Sequence, residues 1–317
     1  MTDRPSGGTA TDRRHLVVGE SLIDLIRHPG EPELAQVGGS PLNVAVGLSR
    51  LDVPSALWTR FGSDEHGALI ADHLDANGVA VVPGSVSSSP TSKAAAHIQE
   101  DGSARYEFDL AWQLEPVIGL EPVLVHTGSI AAVLEPGAGT VRNVVRQLRG
   151  RATVSYDPNV RPQLMGERES AATRIESFVA LTDVVKASSE DLEWLYPGQD
   201  AHDVALRWLR LGPAVVVVTQ GEVGAFAVTT SVTRYVSARA VEVVDTIGAG
   251  DSFMAGLLAA LDDLGLLGRE NEPALRTIAV AELEQILTFA SRCAAITVSR
   301  PGADPPLRAS VVEAFDP

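Results

Sequence analysis

Short apolar runs alternate with longer amphipathic stretches along most of this chain. The four consecutive valines at 215–218 are typical of a strand that a sheet buries on both faces. Stretches such as 64–77 instead repeat their apolar residues at helical spacing. Strands that alternate with helices in this way form a mainly parallel sheet covered on both faces. The pattern therefore predicts an α/β fold.

One main domain is predicted over residues 15–317, because the chain contains neither an internal repeat nor a long linker. A polar tail over residues 1–14 is predicted to be disordered. Strands are predicted over 16–18, 56–61, 79–82, 123–126, 153–156, 184–186, 215–219, 224–228, 234–236 and Val241–Val244. The predicted helices include 64–77, 139–148, 202–211, 251–264 and 282–298.

Two segments interrupt the alternation, near residues 27–38 and 91–112. The second contains stretches at 94–99 and 105–109 in which apolar and polar residues alternate, as in strands with one exposed face. Ordinary hairpin loops would explain both segments, so the pattern alone leaves their role open.

Composition and charge narrow the classes of function. The net charge of −16 at pH 7 argues against a nucleic-acid-binding surface, which would need a basic face. Cys293 is the single cysteine, so no disulfide can form within the chain and a reducing compartment is expected. The sequence has no run of 18 apolar residues and no signal peptide in residues 1–14. We therefore expect a cytoplasmic protein that does not bind membranes.

The segment 243–256, VVDTIGAGDSFMAG, is the most informative part of the chain. Gly248 and Gly250 lie in a turn between an apolar run and an amphipathic helix. Backbone N–H groups at a helix start lack intrahelical partners, and glycines let a phosphate approach them closely. Asp251 follows at once, where a carboxylate could accept the proton of an attacking hydroxyl. The alternative is that Asp251 only caps the helix, as aspartate often does.

A second glycine-rich turn lies far away in the sequence, at Gly38 and Gly39. It leads into a helix with Pro41 in the first turn, a position that proline tolerates well. One turn further on, Asn43 would direct its amide toward whatever the glycines admit. Taken alone, these residues are as well explained by a turn and a polar first-turn residue.

Together, the two segments resemble the paired signatures of the ribokinase (PfkB) family of sugar and nucleoside kinases. The resemblance extends from about residue 16 to the C-terminus. It implies a ribokinase-like, Rossmann-type three-layer sandwich in which the two irregular segments form a small β-sheet lid over the sugar. In this family the lid often pairs two subunits, so a homodimer is a further expectation.

The resemblance also implies roles for the residues of the first segment. Asp251 would be the catalytic base, and the N–H groups of Gly248, Ala249 and Gly250 would hold the charge that develops on the transferred phosphoryl group. On the sugar side, the resemblance implies contacts from Asp24, Gly39 and Asn43.

A third informative segment is 156–162, YDPNVRP. Two prolines prevent a regular helix, so a rigid loop is predicted at the end of a strand, where open α/β sheets bind ligands. The segment resembles the D-P-N-x-R element of fructokinases and 2-keto-3-deoxygluconate kinases. This resemblance implies that Asp157 contacts the sugar and that Arg161 holds phosphoryl oxygens. A salt bridge between Arg161 and a nearby acid is the alternative.

The nucleotide side carries weaker signals. The segment 219–224, TQGEVG, resembles the family's turn beside the ATP phosphates, although a tight hairpin would use the same glycines. Ser188 and Asp191 stand where many relatives carry an N-x-x-E element that is linked to metal and phosphate. Because of this departure, no metal ligand is assigned. Nucleotide contacts are expected at Ser188, Thr219, Gly221, Gly224 and Thr246.

The sequence therefore predicts an ATP-dependent sugar kinase that uses Mg²⁺, with activation by K⁺ left open. The D-P-N-x-R element and the Gly19–Glu20 start favour fructose as the substrate, followed by 2-keto-3-deoxygluconate and then ribose or a nucleoside. The acidic stretch 106–109, YEFD, counts against fructose, because fructokinases commonly carry an arginine in the lid. It also disfavours a keto acid or an already phosphorylated sugar, so fructose remains first.

Two alternatives belong to other classes of protein. A non-catalytic sugar- or nucleotide-binding regulator would bind these ligands without turnover. Asp251, the glycines beside it and Asn43 are all present, however, and this speaks against a regulator. A nicotinamide-dependent dehydrogenase would share the layering, but this chain lacks G-x-G-x-x-G after its first strand.

Overall fold

The computed structural model describes residues 15–27, 32–98, 104–115 and 119–314, so the predicted tail over residues 1–14 lies outside the described part. The strands are β1 (His15–Val18), β2 (Leu22–Arg27), β3 (Leu34–Gly38), β4 (Ser55–Trp58), β5 (Phe61–Gly62), β6 (Ala80–Val81), β7 (Val86–Ser87), β8 (Lys93–Ile98), β9 (Ala104–Asp109), β10 (Leu124–Gly128), β11 (Thr153–Asp157), β12 (Val184–Ser188), β13 (Val215–Thr219), β14 (Gly224–Val228) and β15 (Thr233–Ser237). The helices are α1 (Ser40–Arg50), α2 (Glu65–Ala76), α3 (Gly137–Leu148), α4 (Pro162–Met165), α5 (Arg168–Val179), α6 (Ser189–Leu195), α7 (Ala201–Leu209), α8 (Ala249–Asp263), α9 (Glu272–Arg276), α10 (Val280–Val298) and α11 (Arg308–Glu313).

A nine-stranded sheet forms the centre of the fold, in the order β15-β14-β13-β12-β11-β10-β1-β4-β6. All pairs from β13 to β6 are parallel. At the other end, β14 and β15 extend the sheet as antiparallel strands. The prediction of a mainly parallel sheet is confirmed.

Helices cover both faces of this sheet, because its strands alternate their side chains between two hydrophobic cores. Val215 and Val217 of β13 face the core that contains residues of α1, α8 and α10. Val216 and Val218 face the opposite core, which contains residues of α3, α5, α6 and α7. The fold is therefore the expected three-layer sandwich. None of the helices in the described part is long and apolar enough to cross a membrane.

A second sheet of four strands combines the two irregular segments, in the order β3-β2-β8-β9. The parallel pair of β2 and β8 joins the segments, and this pairing places Asp24 opposite Ala94. The first segment begins at Leu22, earlier than predicted. Only three residues separate β2 from the first strand of the main sheet. The small sheet exists as expected, and its function as a lid remains a prediction.

Two strand predictions are wrong. The segment Val241–Val244 forms no strand, and its last N–H group donates to the carbonyl oxygen of Val298 at the end of α10, 2.8 Å away. The valines of this segment are exposed, and an apolar sequence cannot distinguish an exposed extended segment from a buried strand. The predicted strand over 56–61 stops at Trp58, because the chain then leaves the main sheet and β5 pairs with β7.

The single cysteine lies where α10 packs against α8. A Cβ atom at Gly256 of α8 would lie 2.9 Å from the Sγ of Cys293 on α10, so the sulfur contacts the backbone of α8 directly. Burial raises the pKa of the Cys293 thiol to about 12. Cys293 is therefore a core residue, as its apolar surroundings in the sequence indicate.

Candidate active site

Predicted site residues gather at the carboxyl edge of the main sheet. Asp157, Ser188 and Thr219 end the adjacent strands β11, β12 and β13, and Ser188 pairs with Thr219. The start of α8 meets the same edge, because the Nζ of Lys186 lies 3.3 Å from the carbonyl oxygen of Gly250. Open α/β sheets bind ligands at this edge.

The turn before α8 is held open toward that edge. Gly248 is the last residue before the helix and has a left-handed backbone (φ 74°), and no side chain in the described part caps the helix start. A Cβ atom at Gly248 would lie 2.6 Å from the Cβ of Ala303, so only glycine fits here. Asp245 fixes the turn, because its carboxylate accepts hydrogen bonds from the N–H groups of Ile247 (2.9 Å) and Gly302 (2.8 Å). An uncapped helix start of this kind favours a bound anion.

Asp251 joins the two glycine-rich segments. Its Oδ1 accepts a hydrogen bond from the hydroxyl of Ser40 (2.6 Å), and its Oδ2 accepts one from the amide of Asn43 (2.8 Å). Both donors lie on the first turns of α1, which begins directly after Gly39. The side chain is therefore held from both oxygens. Its partners come from α1, so Asp251 does more than cap its own helix.

Asp157, which is predicted to contact the sugar, has a charged partner within the protein, and its contact with the sugar remains a prediction. Its carboxylate is completely buried, and Oδ2 forms an ion pair with the Nζ of Lys186 at 2.7 Å. Oδ1 accepts the N–H of Asn159. Asp157 is thus an interior counter-ion, because a charge in this position must be paired to be buried.

Three ionisable side chains act on one another on the predicted sugar side: Asp24, Glu20 and Arg161. Burial raises the pKa of Asp24 to about 6, and the Arg161 guanidinium acts in the opposite direction. Burial also raises the pKa of Glu20 to about 7, although hydrogen bonds, including that from the N–H of Ala131, and the charge of Arg161 oppose the rise. The exposed Arg161 therefore acts on both carboxyls, that of the buried Glu20 and that of the half-buried Asp24.

The structure brings Gly39 against the backbone of Glu20. A Cβ atom at Gly39 would lie 2.6 Å from the carbonyl oxygen of Glu20, and the residue has a φ of 115°. The guanidinium of Arg161 also donates to the side-chain oxygen of Asn159 at 2.6 Å. A contact between Arg161 and phosphoryl oxygens remains a prediction.

Ser188 and Asp191 form a capping box at the start of α6. One carboxylate oxygen of Asp191 accepts the N–H of Ser188 (2.9 Å), and the other accepts the N–H of Val160 (2.8 Å). Both oxygens are therefore engaged in tying the 158–161 loop to α6. These hydrogen bonds give Asp191 a structural role, and a role in metal binding remains open.

The other predicted nucleotide contacts differ in accessibility. Thr246 and Gly221 are exposed, and Thr219 is half-buried. Gly224 is buried, and a Cβ atom there would collide with the carbonyl oxygen of Val236 on the neighbouring strand β15. The hairpin alone accounts for the glycine at 224, and its contact with nucleotide remains a prediction.

A metal ion bound by side chains needs several of them close together. Within the described part of the chain, one cluster of His, Cys, Asp or Glu side chains is close enough to hold an ion: Asp200, His202 and Asp203 at the start of α7. Asp200 already caps that helix, through the N–H groups of His202 and Asp203. Acidic residues at a helix start are common for this reason.

Sequence reasoning missed four residues that shape the site: Glu20, Ser40, Lys186 and Asp245. Lys186 had a signal, because a lysine between apolar residues in a buried strand needs a counter-ion. Ser40 also had one, since it stands beside Pro41 in the helix start that the glycines introduce. Glu20 and Asp245 are recognisable only from their tertiary partners.

Residues 13–309 match the model of the pfkB family of carbohydrate kinases. The chain belongs to this family. It is therefore an ATP-dependent sugar kinase. Among curated relatives, fructokinase of Rhizobium leguminosarum bv. trifolii is 32% identical over 82% of this chain and 83% of its own length.

Solved structures of family members share the fold. Fructokinase with bound ATP from Xylella fastidiosa superposes with a TM-score of 0.80 at 26% identity, covering 95% of this chain and 98% of its own. Fructokinase from Vibrio cholerae O395 gives a TM-score of 0.79 at 26% identity, covering 96% and 99%. That enzyme was solved with fructose, ADP and calcium ion bound, and a double mutant with fructose, ADP and potassium ion.

Proposed function

We propose that this kinase transfers the γ-phosphoryl group of ATP to a primary hydroxyl of fructose, with Asp251 as the general base. The observation that carries the proposal is the carboxylate of Asp251, held by Ser40 and Asn43 beside an uncapped helix start. A fixed base next to backbone donors is what phosphoryl transfer to an alcohol requires.

In the proposed reaction, Asp251 takes the hydroxyl proton as the sugar oxygen attacks the γ-phosphorus. The bond between the γ-phosphorus and its bridging oxygen breaks, and ADP leaves. The N–H groups of Gly248, Ala249 and Gly250 hold the charge that develops on the phosphoryl oxygens. Arg161 assists from the sugar side, where its charge already acts on Asp24.

Asp24, Gly39 and Asn43 are proposed to bind the sugar. The ionised carboxylate of Asp24 can accept hydrogen bonds from two hydroxyls at once. Fructose is favoured by the relatives, which are named fructokinases at 31–33% identity. The acidic residues Glu107 and Asp109 on β9 are exposed, and they disfavour a keto acid or an already phosphorylated sugar.

ATP is proposed to lie along Ser188, Thr219, Gly221 and Thr246. Magnesium would arrive with ATP and neutralise its phosphates, because Mg²⁺ usually binds through substrate phosphates and water and few protein ligands. This fits the structure, in which the carboxylate oxygens of Asp191 are engaged by backbone N–H groups. Activation by K⁺ is proposed from the potassium-bound fructokinase of Vibrio cholerae.

The small sheet is proposed to close over the sugar and to exclude water, which would otherwise compete with the sugar hydroxyl. Pairing of two such sheets in a homodimer is a second proposal for the same surface. A cytoplasmic location fits an enzyme that consumes ATP.

The test is ADP release from Mg-ATP with fructose, 2-keto-3-deoxygluconate, ribose, glucose and adenosine. We expect turnover with fructose, and we expect Asp251→Asn to lower kcat by about 10²–10⁴ while ATP still binds. Asp263→Asn is the matched control, because it removes the same charge at the far end of the same helix. Retained turnover in Asp251→Asn would refute the assignment of the base. Binding of sugar without turnover by the wild-type protein would instead indicate a regulator.

A further inference from the structure

Lys186 is the one lysine of this chain that lies in its interior. The chain has only two lysines, Lys93 and Lys186. Lys93 is on the small sheet and partly exposed, whereas the side chain of Lys186 is only 4% exposed. Lys186 lies on β12, with its ammonium group beneath the turn that leads into α8. Burying a charge is costly, and the cost is offset only by close partners.

Two contacts fix the ammonium group. Nζ lies 2.7 Å from Oδ2 of Asp157 and 3.3 Å from the carbonyl oxygen of Gly250. A Cβ atom at Gly250 would come within 3.1 Å of the same nitrogen. Burial alone would lower the pKa of Lys186, but the carboxylates of Asp157, Asp191 and Asp251 outweigh it and raise the pKa. The lysine therefore stays charged, with Asp157 as its nearest counter-ion.

The contact with Gly250 bears on a fourth backbone donor beside the proposed anion site, the N–H group of Asp251, which follows those of Gly248, Ala249 and Gly250. In a trans peptide unit, the carbonyl oxygen and the following N–H point in opposite directions. Because the oxygen of Gly250 points inward to Lys186, the N–H of Asp251 points away from it, toward the open start of α8. A hydrogen bond from an ammonium group also polarises the peptide unit and strengthens its N–H as a donor.

We propose that Lys186 is a positioning residue for phosphoryl transfer, which orients and polarises the Gly250–Asp251 peptide unit while Asp157 neutralises its charge. The proposal rests on the function proposed above, because it assigns the turn before α8 to the transferred group. It also gives Asp157 a role that replaces the predicted sugar contact.

The first test uses the double variant Asp157→Asn/Lys186→Met, which removes both charges together. The single variant Lys186→Met would leave Asp157 buried and unpaired and is expected to unfold more easily. For the double variant we expect a folded protein, KM values for sugar and ATP within about threefold of wild type, and kcat lower by about 10- to 100-fold. Glu272→Gln/Arg276→Gln, an ion pair on α9, is the matched control.

Three results of this test would contradict the proposal or separate it from the proposed function. A folded double variant with wild-type kcat would show that the pair is only structural. A raised KM for sugar with unchanged kcat would return Asp157 to the sugar site. If the wild-type protein turned over no sugar at all, the proposed function itself would fail, which is a different outcome.

A second measurement does not depend on whether the variants fold. Wild-type protein labelled with ¹³C at the lysine Cε should give two signals, one for each lysine, and Lys93→Arg assigns them. Adding tetrafluoroaluminate to the complex with ADP and sugar mimics the transferring phosphoryl group. We expect the Lys186 signal to shift between the ADP complex and the tetrafluoroaluminate complex. A Lys186 signal that is the same in both complexes would overturn the proposal.

Discussion

The amide of Asn43 donates a hydrogen bond to the carboxylate of Asp251, 2.8 Å away, across 208 residues of sequence. Ser40, on the same helix start, donates to the other carboxylate oxygen. The proposed base is therefore oriented by α1 rather than by its own helix. Its geometry depends on how closely α1 and α8 pack.

Removing these donors should slow turnover without weakening nucleotide binding. We expect Ser40→Ala and Asn43→Ala each to lower kcat about 10-fold or more, since a hydrogen bond to a charged group contributes roughly 1.5–3 kcal/mol. The double variant should lose less than the product of the two effects, because both act on one carboxylate. Ser49→Ala is the control, since Ser49 lies on the same helix and donates to Asn77 instead. Wild-type kcat in both single variants would contradict the orienting role.

Sugar binding should depend on the ionisation of Asp24. The pKa of Asp24 is raised to about 6, so the carboxylate form that accepts sugar hydroxyls is present mainly above that pH. We expect KM for the sugar to fall as the pH rises from 5 to 7 and then to level off. Arg161→Gln should move the midpoint to higher pH, because the guanidinium lowers the pKa of Asp24.

The control for this profile is Arg149→Gln, which removes the same charge from an exposed position at the end of α3. Its midpoint should equal that of the wild type. A midpoint that Arg161→Gln does not move would show that Arg161 acts elsewhere.

Glu20 should make the protein less stable as the pH rises. Its pKa is about 7 in the folded protein and lies near 4.5 without burial, so the fold favours the protonated carboxyl. The resulting stabilisation is complete below about pH 4.5 and is lost as the pH rises through 7. A shift of this size corresponds to about 3 kcal/mol.

We therefore expect Glu20→Gln to flatten the fall in the free energy of unfolding between pH 5 and pH 8, measured by denaturant titration at both values. Glutamine keeps an oxygen that can accept the N–H of Ala131. The control is Glu121→Gln at an exposed position, for which the free energy of unfolding should fall with pH as steeply as in the wild type. Parallel curves for Glu20→Gln and wild type would refute the prediction.

Gly248→Ala should damage both stability and turnover. A left-handed backbone costs a non-glycine residue roughly 1–2 kcal/mol, and the new methyl group would press against Ala303. Gly265→Ala is matched to it, because Gly265 has a similar φ of 66° with nothing within 4 Å. We expect only Gly248→Ala to lower kcat. Equal losses of unfolding free energy in the two variants would mean that the contact with Ala303 contributes nothing.

Much of the fold could be predicted from the sequence, because the spacing of apolar residues along a strand or helix indicates which of its faces is buried. The valines of β13 and the glycine-rich start of α8 are examples. The pairing of the two glycine-rich segments could be expected from the family resemblance. The direction in which each side chain of the site points could not.

The role of Asp157 shows why. The sequence around Asp157 predicts the end of a strand at the ligand-binding edge of the sheet, and Asp157 lies there. Its partner depends on the alignment of β11 with β12, which brings Lys186 beside it, and local sequence does not contain that alignment. Gly224 is similar, since a hairpin and a nucleotide loop both call for glycine there.

Because Cys293 is buried against α8, the reactivity of its thiol reports local opening of the protein. A maleimide or iodoacetamide can reach the sulfur only when the packing around it opens, and α8, the helix that carries Asp251, is part of that packing. The rate of modification of the unmodified wild-type chain thus measures how often this packing opens. Ligands that bind at the start of α8 should lengthen the interval between such openings, so the same rate can report their binding without an engineered cysteine.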